Sequence, residues 1–382
     1  MKINKMKVTA MASLLLAAAV ICCGCNNQGL PAGNGTINAL AMTEPAIEKI
    51  NAISEEYHDN YSVYYPRDEY ESLLEDIEGK YTGIGVTIYE NEENGRVTVN
   101  SVMRGAPAYK AGLQPGDEIL QVNGESVTAQ TTEYVSKKFK TAAVGTKFTL
   151  LINRPEAGEK TITVQTDNVE YPTVDSLMLE NTDGIGLIKI STFNLLTGDQ
   201  FLEQLKDLKE QGMKGLILDL RDNGGGEINA AMKVANSFLG EDSNLMYMVT
   251  PQGTYSYSGD GEAEQLPLMV LQNGNTASAS EVVIGALAEK DNVITLGTKT
   301  FGKGIVQTIT ELNSGAGLRF TSARYLTGTG KEVHKIGIMP DVEFDQPEGT
   351  HVLASYAMDP AEDPQLAKGI EEFQKFMADA AQ

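Results

Sequence analysis

Two residues of this chain combine a chemical type and a sequence setting that suit nucleophilic chemistry. Ser278 stands in the small-residue run TASASE, residues 276–281, which follows an apolar strand and opens a predicted helix. Lys303 lies between Gly302 and Gly304, in the loop after the next apolar strand. The 382 residues include only three histidines, and none of them stands in a motif. The pattern therefore favours a serine nucleophile with lysine as its base.

The sequence leaves two interpretations of Ser278. With Glu281 it has the S-x-x-E spacing of a capping box, in which the serine only caps the helix. A helix N-terminus also offers free N–H groups and the positive end of the helix dipole. Ser278 is then placed to attack a carbonyl carbon while the amide of Ala279 receives the developing oxyanion. Ser280 is the alternative nucleophile in the same run.

Lys303 acts as a base only if its pKa falls from about 10.4 toward neutrality, which requires removal from water. The six residues on either side of it include no acid, so a desolvated position is compatible with the sequence. The alternatives are a solvated loop lysine, or Lys299 as the base. Gln307 is expected on the same strand face as Lys303 and would orient its amine, unless it is an ordinary polar strand residue.

A triple-glycine loop follows another apolar strand, at residues 224–226. It has neither the spacing of a phosphate-binding loop nor that of a dinucleotide fingerprint. We expect it to supply a second oxyanion amide, from Gly225 or Gly226, and the sequence does not decide between these two residues.

Strands and helices alternate from about residue 169, which predicts an α/β core. The predicted strands include residues 185–190, 215–220 and 293–296, and helices are predicted over 198–211 and 228–239. Two further strands are expected at 305–311 and 318–326, followed by a C-terminal tail, 346–382, that is mainly helical. Before the core, residues 44–79 show helical periodicity, which predicts two helices with a break near Tyr65-Pro66. This segment is either a packed helical cap or an arm for homodimer formation.

The first 25 residues form a separate unit. Lysines precede an apolar stretch that is too short to span a bilayer comfortably, and CCGC follows at residues 22–25. This resembles a bacterial lipoprotein signal with Cys25 lipidated, and Cys22 and Cys23 are the alternative positions. Residues 26–43 then form a flexible tether, and the protein is expected on the extracytoplasmic face of the cell membrane. Ordinary cleavage and an uncleaved anchor are the alternatives.

Residues 80–168 resemble a PDZ domain of the bacterial protease type. The resemblance rests on YTGIGVTI, on GAPAYKAGL and on QPGDEILQVNG, which begin at residues 81, 105 and 114. It implies that the loop of Gly83, Ile84, Gly85 and Val86 holds the C-terminal carboxylate of a peptide, which adds as a strand to the sheet edge. The alternative is that these glycines only make turns.

The core resembles the carboxy-terminal processing proteases. LRDNGGG from residue 220, TASASE from 276, TFGKGIVQ from 300 and GIMPDV from 337 carry this resemblance. It implies Ser278 as nucleophile, Lys303 as base and Gln307 as the residue that orients the lysine. It also implies a crotonase-like or Clp-protease-like spiral for residues 169–345, with the PDZ domain inserted before it.

The composition of the chain limits the classes of partner that we expect. The chain has 52 acidic against 30 basic residues and a net charge of −22, so nucleic acid is not an expected partner. No metal or cofactor is expected. Our hypothesis is a serine endopeptidase that acts on unfolded or flexible protein C-termini. A membrane-tethered PDZ adapter with an inactive core is the alternative, and a small-molecule esterase or amidase is disfavoured because it needs no peptide dock.

Overall fold

The computed structural model describes residues 61–380 except 242, 260–262, 289, 351, 353–359 and 361. The described residues form two compact units. One unit comprises the chain up to Ile77 and from Thr173 onward, and the other comprises Glu78–Pro172. The predicted lipoprotein signal, the tether and the first part of the helical segment 44–79 lie outside the described residues.

The described chain begins with strand β1 (Val63–Tyr65) and helix α1 (Arg67–Glu78). Helix α1 coincides with the second of the two helices expected in the segment 44–79, but β1, at the expected break near Tyr65-Pro66, is a strand that was not expected. Its three residues pair antiparallel with residues 317–319. Strand formation here depends on a partner far along the chain, which local periodicity does not reveal.

The unit Glu78–Pro172 is a small β-rich domain with two short helices. Its main sheet has the order β3-β4-β5-β7-β8, with β6 paired to β5, and β2 pairs separately with β9. The elements are β2 (Lys80–Gly83), β3 (Val86–Glu90), β4 (Val97–Val102), α2 (Pro107–Ala111), β5 (Glu118–Val122), β6 (Glu125–Ser126), α3 (Thr132–Lys140), β7 (Lys147–Arg154), β8 (Gly158–Gln165) and β9 (Asp167–Glu170).

Helix α2 shows how the sequence sets local structure in this unit. Pro107 is at its first position, where a missing N–H costs nothing, and Gly112 ends it with φ +84°. The core of the unit is a single apolar cluster that includes Ile84, Val135 and Phe139. This domain therefore has a hydrophobic core of its own.

The larger unit continues with strands and helices that mostly alternate. Its elements after Thr173 are β10 (Val174–Met178), β11 (Ile185–Ile190), α4 (Thr197–Glu210), β12 (Gly215–Asp219), α5 (Ile228–Asn236), β13 (Asn244–Thr250), β14 (Gly253–Ser258), β15 (Leu268–Gln272), α6 (Ala279–Leu287), β16 (Val293–Gly297), β17 (Ile305–Glu311), β18 (Gly317–Thr327), β19 (Val342–Glu343) and α7 (Pro364–Ala380).

A six-stranded mixed sheet of order β10-β11-β12-β15-β16-β19 forms the centre of this unit. Within this sheet, neighbouring strands from β11 through β12, β15 and β16 to β19 are parallel. Strand β10 pairs antiparallel with β11 at one edge. Every residue of β12 and β15 is buried, which explains the apolar runs 215–218 and 268–271 with which they begin. Because β12, β15 and β16 are parallel neighbours, the loops that follow them emerge at one edge of the sheet.

The two faces of this sheet pack against different helices. Leu216 and Leu218 of β12 belong to a cluster that includes Phe201 of α4 and Val283 of α6. Ile217, between them, belongs to the cluster that contains Phe373 of α7. The alternation of side chains along the strand thus builds two cores, one on each face.

A second, antiparallel sheet completes the unit, with the order β1-β18-β13-β14 and with β17 paired to β18. The α/β core with a mixed sheet and a small β-rich second domain confirms the expected fold class. None of the described helices is long and apolar enough to cross a membrane.

Candidate active site

Ser278 occupies a strained turn between β15 and α6. Its backbone has φ +57° and ψ −118°, an unusual conformation for a residue with a side chain. Such strain costs about 1–3 kcal/mol and persists only where the surroundings enforce it. Here the carbonyl of Ser278 accepts bonds from the Glu281 amide at 2.8 Å and from the Tyr325 hydroxyl at 3.0 Å. The serine is therefore held firmly at the helix start.

The carboxylate of Glu281 joins the serine turn to the lysine loop. This side chain is fully buried. Its Oε2 accepts the amide of Ser278 at 2.9 Å and the amide of Lys303 at 2.8 Å. Its Oε1 accepts the Thr300 hydroxyl at 2.5 Å and the Gly302 amide at 2.7 Å. Four donors satisfy the buried charge and fix the two loops relative to each other.

Capping was the alternative expected for the Ser278–Glu281 pair, and the capping box is present at the start of α6. The Glu281 carboxylate does accept the Ser278 amide, as the third residue of a capping box does. The same oxygen also holds the amide of Lys303. Capping and positioning of the lysine loop are thus one interaction, so the two interpretations of the motif are not exclusive.

The glycines beside Lys303 are required by packing. A Cβ on Gly302, whose φ is +88°, would lie 2.9 Å from the amide nitrogen of Gly337. A Cβ on Gly304 would lie 2.4 Å from the amide nitrogen of His334. The chain over 334–337 therefore runs directly against the lysine loop and shields it.

Lys303 is partly buried, as a lysine base must be. Burial lowers the pKa of its ammonium, and the positive charge of Arg319 lowers that pKa further. Its Nζ lies 5.4 Å from the centre of the Tyr61 ring. The rival base Lys299 is exposed and so lacks this desolvation.

Ser280, the alternative nucleophile, has a structural role. It is fully buried, and its hydroxyl donates to the carbonyl of Asn223 at 3.0 Å. The Asn223 carbonyl also accepts the Ala277 amide at 3.0 Å. Ser280 thus helps to attach the serine turn to the triple-glycine loop, whereas Ser278 stays partly exposed.

The triple-glycine loop lies directly against Ser278. A Cβ on Gly225, whose φ is +98°, would lie 2.7 Å from Cβ of Ser278 and 2.8 Å from the amide nitrogen of Ala279. The Gly225 amide already donates to Oδ1 of Asn223 at 2.9 Å. In the described part of the chain, the amides of Ala279 and Gly226 have no assigned acceptor. These two N–H groups, like that of Gly224 in the same loop, are therefore free to donate to a substrate oxygen.

The side-chain amide of Gln307 has a hydrogen-bond partner other than Lys303. Strand β17 begins only at Ile305, so strand alternation does not extend back to Lys303 in its glycine loop. The Gln307 amide donates to the backbone carbonyl of Tyr61 at 2.7 Å. Among the described residues, Lys303 Nζ has no hydrogen bond to Gln307 or to Ser278. Bonds to a general base are often long until substrate aligns the groups.

A buried ion cluster lies at the residues just before the glycine loop, and the sequence analysis did not predict it. Arg221 is fully buried and bonds both oxygens of Asp219, at 2.9 and 2.7 Å, and both of Asp363, at 3.0 and 2.8 Å. Burial alone would raise the pKa of Asp219, but the charges of Arg221 and Lys189 outweigh it and lower that pKa. Charged residues directly after a buried strand were the available signal.

The predicted peptide loop, Gly83, Ile84, Gly85 and Val86, connects β2 to β3 in the smaller unit. The carbonyls of Ile84 and Gly85 accept the amides of Ala108 at 2.8 Å and Met103 at 3.0 Å. Strand β3 is an edge of its sheet, since β4 is its only neighbour among the described strands. Helix α3 packs beside β3. An edge strand next to a helix is the arrangement that accepts an added peptide strand.

Comparisons with known proteins match two parts of this chain. Residues 184–344 match peptidase family S41, and residues 98–154 match a PDZ domain. The first match includes Ser278 and Lys303, whereas the loop 83–86 precedes the second. The chain therefore carries a peptidase family S41 domain together with a PDZ domain.

The relatives that align with it are processing proteases. It is 34% identical over 301 residues to the carboxy-terminal processing protease CtpA of Bacillus subtilis strain 168, covering 78% of this chain and 64% of the relative. It is 33% identical over 315 residues to a protein of Staphylococcus haemolyticus named as a CtpA-like serine protease, covering 81% and 62%. The matches thus span less than two thirds of these relatives.

A solved structure supports the fold. An S41 protease from Bacteroides fragilis superposes with a TM-score of 0.52, covering 90% of this chain and 93% of that one at 17% identity. At this identity the likeness concerns the fold alone.

Proposed function

We propose that this protein is a serine endopeptidase that captures the free C-terminal tail of protein substrates with its PDZ domain and cleaves peptide bonds with Ser278 and Lys303. The observation that carries the proposal is the buried Glu281 carboxylate, whose Oε2 receives the amides of both residues. A solvated loop lysine and a simple helix-capping serine would have no need of this shared anchor.

The proposed reaction uses the residues of the site and water. Oγ of Ser278 bonds to the peptide carbonyl carbon while Lys303 Nζ takes the hydroxyl proton, and the carbonyl electron pair moves onto oxygen. The C–N bond then breaks, and the leaving nitrogen receives the proton from Lys303. Water attacks the resulting ester through the same steps, which releases a new C-terminal carboxyl group and restores Ser278.

The oxyanion would be stabilised by two backbone amides. We assign these to Ala279 and Gly226, because the amide of Gly225 is engaged by Asn223. Each such donor contributes roughly 3 kcal/mol of barrier reduction. Gly225 would still be needed, because a side chain there would press on Ser278.

The substrate class follows from the PDZ domain. The proposed substrates are unfolded or flexible protein C-termini, because strand addition to an edge such as β3 requires an extended chain. The alternative function is a PDZ adapter whose core is inactive. It is less favoured because the serine turn, the buried lysine and the free amides are all retained.

The test is cleavage of an unfolded peptide with a free apolar C-terminus, followed by mass spectrometry. Ser278→Ala and Lys303→Ala are expected to lower kcat/KM by about 10³-fold or more. Lys299→Ala is the matched control, because this exposed lysine precedes the loop and should leave cleavage unchanged. Full turnover by either site variant would refute the assignment, and tail binding by a wild-type protein that cleaves nothing would support the adapter.

We further propose that Cys25 carries a lipid that anchors the protein on the extracytoplasmic face of a bacterial membrane. Its support is the sequence alone, namely a basic and apolar leader followed by Gly24 and Cys25. Metabolic labelling with a fatty-acid analogue should fail in Cys25→Ser and persist in Cys22→Ser and Cys23→Ser. Persistent labelling of Cys25→Ser would move the anchor to another cysteine.

For the segment 44–79 two proposals stay open, a cap packed on its own chain and an arm that forms a homodimer. Sedimentation equilibrium of residues 26–382 distinguishes them, because only the second gives a mass of two chains.

A further inference from the structure

Tyr61 makes two contacts with the proposed catalytic residues. The face of its ring lies over Lys303, with Nζ 5.4 Å from the ring centre. Its backbone carbonyl accepts the side-chain amide of Gln307 at 2.7 Å. Tyr61 lies two residues before strand β1, whose three residues pair with β18.

A ring over a lysine base has two opposing effects. Its apolar bulk excludes water, which disfavours the ammonium form. Its negative face attracts a cation, which favours that form. Lysine is neutral before it accepts the serine proton and positive afterwards. The attraction therefore acts mainly once the proton moves, and it stabilises the transition state more than the ground state.

We propose that Tyr61 is the positioning residue of the general base: its ring keeps water from Lys303 and stabilises the ammonium that forms when Ser278 loses its proton. Gln307 acts through Tyr61, by holding the backbone carbonyl and not the lysine amine. This inference rests on the proposed Ser/Lys reaction.

Other charged groups face Lys303 from the neighbouring elements. Arg319 on β18 is the cation whose charge opposes the ammonium. The Glu281 carboxylate at the start of α6 is engaged by the backbone of the lysine loop. His334 packs edge-on to the Tyr61 ring at 6.4 Å, and the Lys335 amide donates to the Gly302 carbonyl at 2.7 Å. In the described part of the chain, the contact assigned to Lys303 Nζ is the Tyr61 ring.

The chain around β1 makes a second contact between an aromatic ring and a cation. The guanidinium of Arg319 lies 5.3 Å from the ring centre of Tyr65, at the end of β1. Strand β1 and the residue two positions before it thus place two aromatic faces over the two neighbouring cations. This second ring gives Arg319 a fixed position from which its charge acts on Lys303.

The experiment compares pH profiles of kcat and kcat/KM for two variants whose predicted shifts are opposite. Tyr61→Leu keeps water out but removes the ring face, so the acid limb moves to lower pH and kcat falls about tenfold with KM little changed. Tyr61→Ala admits water, so the acid limb moves to higher pH. Tyr64→Leu in β1 is the matched control, and its limb should match that of the wild type.

A conservative pair of variants covers the case in which these proteins fail to fold. Phenylalanine and a ring-fluorinated phenylalanine at position 61 keep the packing while weakening the negative face. The pKa of Lys303, followed by ¹³C NMR and assigned by its loss in Lys303→Arg, should fall with fluorination. A purely structural role would leave that pKa unchanged.

Three results separate the outcomes. If the acid limbs or the Lys303 pKa values are identical in all variants, the role of Tyr61 is overturned. If cleavage still depends on Ser278 in that case, the Ser/Lys proposal stays intact. A rise in kcat in Tyr61→Leu would mean that the ring holds Lys303 away from Ser278, and this also overturns the inference. Cleavage that survives Ser278→Ala overturns the proposed function itself.

Discussion

The backbone amides of Ser278 and Lys303 donate to the same oxygen atom, Oε2 of Glu281, at 2.9 and 2.8 Å. These two residues lie in loops after different strands, β15 and β16, that are parallel neighbours in one sheet. The sheet brings the loops to one edge, and the buried carboxylate then sets their separation. A feature that looks like a helix cap therefore also fixes the proposed nucleophile relative to its proposed base.

We expect Glu281→Gln to lower both stability and activity. Glutamine offers one acceptor oxygen where two carboxylate oxygens receive four donors, so its NH₂ group would face two N–H or O–H groups in a buried site. Unfilled buried donors should lower the free energy of unfolding by about 3 kcal/mol. Displacement of the loops should lower kcat by about 10²-fold. Urea unfolding and peptide cleavage measure the two effects.

The control for this change is Glu210→Gln, an exposed residue whose contact is a long surface ion pair with Lys206. It should change stability by less than about 0.5 kcal/mol and leave cleavage unaltered. Equal rates for Glu281→Gln and wild type would show that the shared carboxylate does not set the geometry of the site.

Replacement by alanine should affect cleavage very differently at two adjacent glycines of the triple-glycine loop, Gly225 and Gly224. In Gly225→Ala the new Cβ would lie 2.7 Å from Cβ of Ser278, at a φ of +98° that alanine rarely adopts. We expect cleavage to fall by at least about 10²-fold. Gly224→Ala meets nothing within 4 Å and should remain active. Comparable losses in both variants would contradict the contact as the cause.

The sequence predicted the parts of the site that local patterns determine. The run TASASE indicated a helix start with Ser278 at its first turn, and the glycines on either side of Lys303 indicated a loop after the next strand. The alternation of apolar strands and helices predicted the α/β core whose sheet brings these loops together. Each of these signals lies within a few residues of the group that it positions.

Contacts between distant segments could not be predicted in this way. Gln307 and Tyr61 are 246 residues apart in sequence, and nothing near either residue specifies the other. Strand β1 exists because β18 pairs with it, and Arg221 is buried because Asp363 at the start of α7 meets it. Alternation along a strand could not predict the partner of Gln307, because strand β17 begins only after Lys303.

The pH dependence of cleavage should report the lowered pKa of Lys303. The base is active when neutral, so kcat/KM should rise with pH, with an acid-limb midpoint below the usual lysine value of about 10.4. The charge of Arg319 contributes to this lowering. Arg319→Gln removes a positive neighbour, which makes the ammonium easier to form, so the midpoint should move to higher pH.

The matched control for this shift is Arg324→Gln, on the same strand β18 but exposed. It should leave the midpoint of the acid limb in place. An equal shift in both variants would point to a general change in surface charge, and an unchanged midpoint in Arg319→Gln would remove this residue from the control of the base.

Capture of substrate tails should depend on the free carboxylate and on the backbone of the 83–86 loop. With Ser278→Ala to prevent turnover, fluorescence anisotropy should show a peptide acid binding at least about tenfold more tightly than its C-terminal amide. Gly85→Ala should abolish the difference, because its Cβ would lie 2.3 Å from Cβ of Ala106 at a φ of +76°. Gly95→Ala is the control, with a similar φ of +68° but nothing within 4 Å. Equal affinity for acid and amide would leave strand addition without carboxylate recognition, and the preference for C-terminal tails would then have to arise elsewhere in the chain.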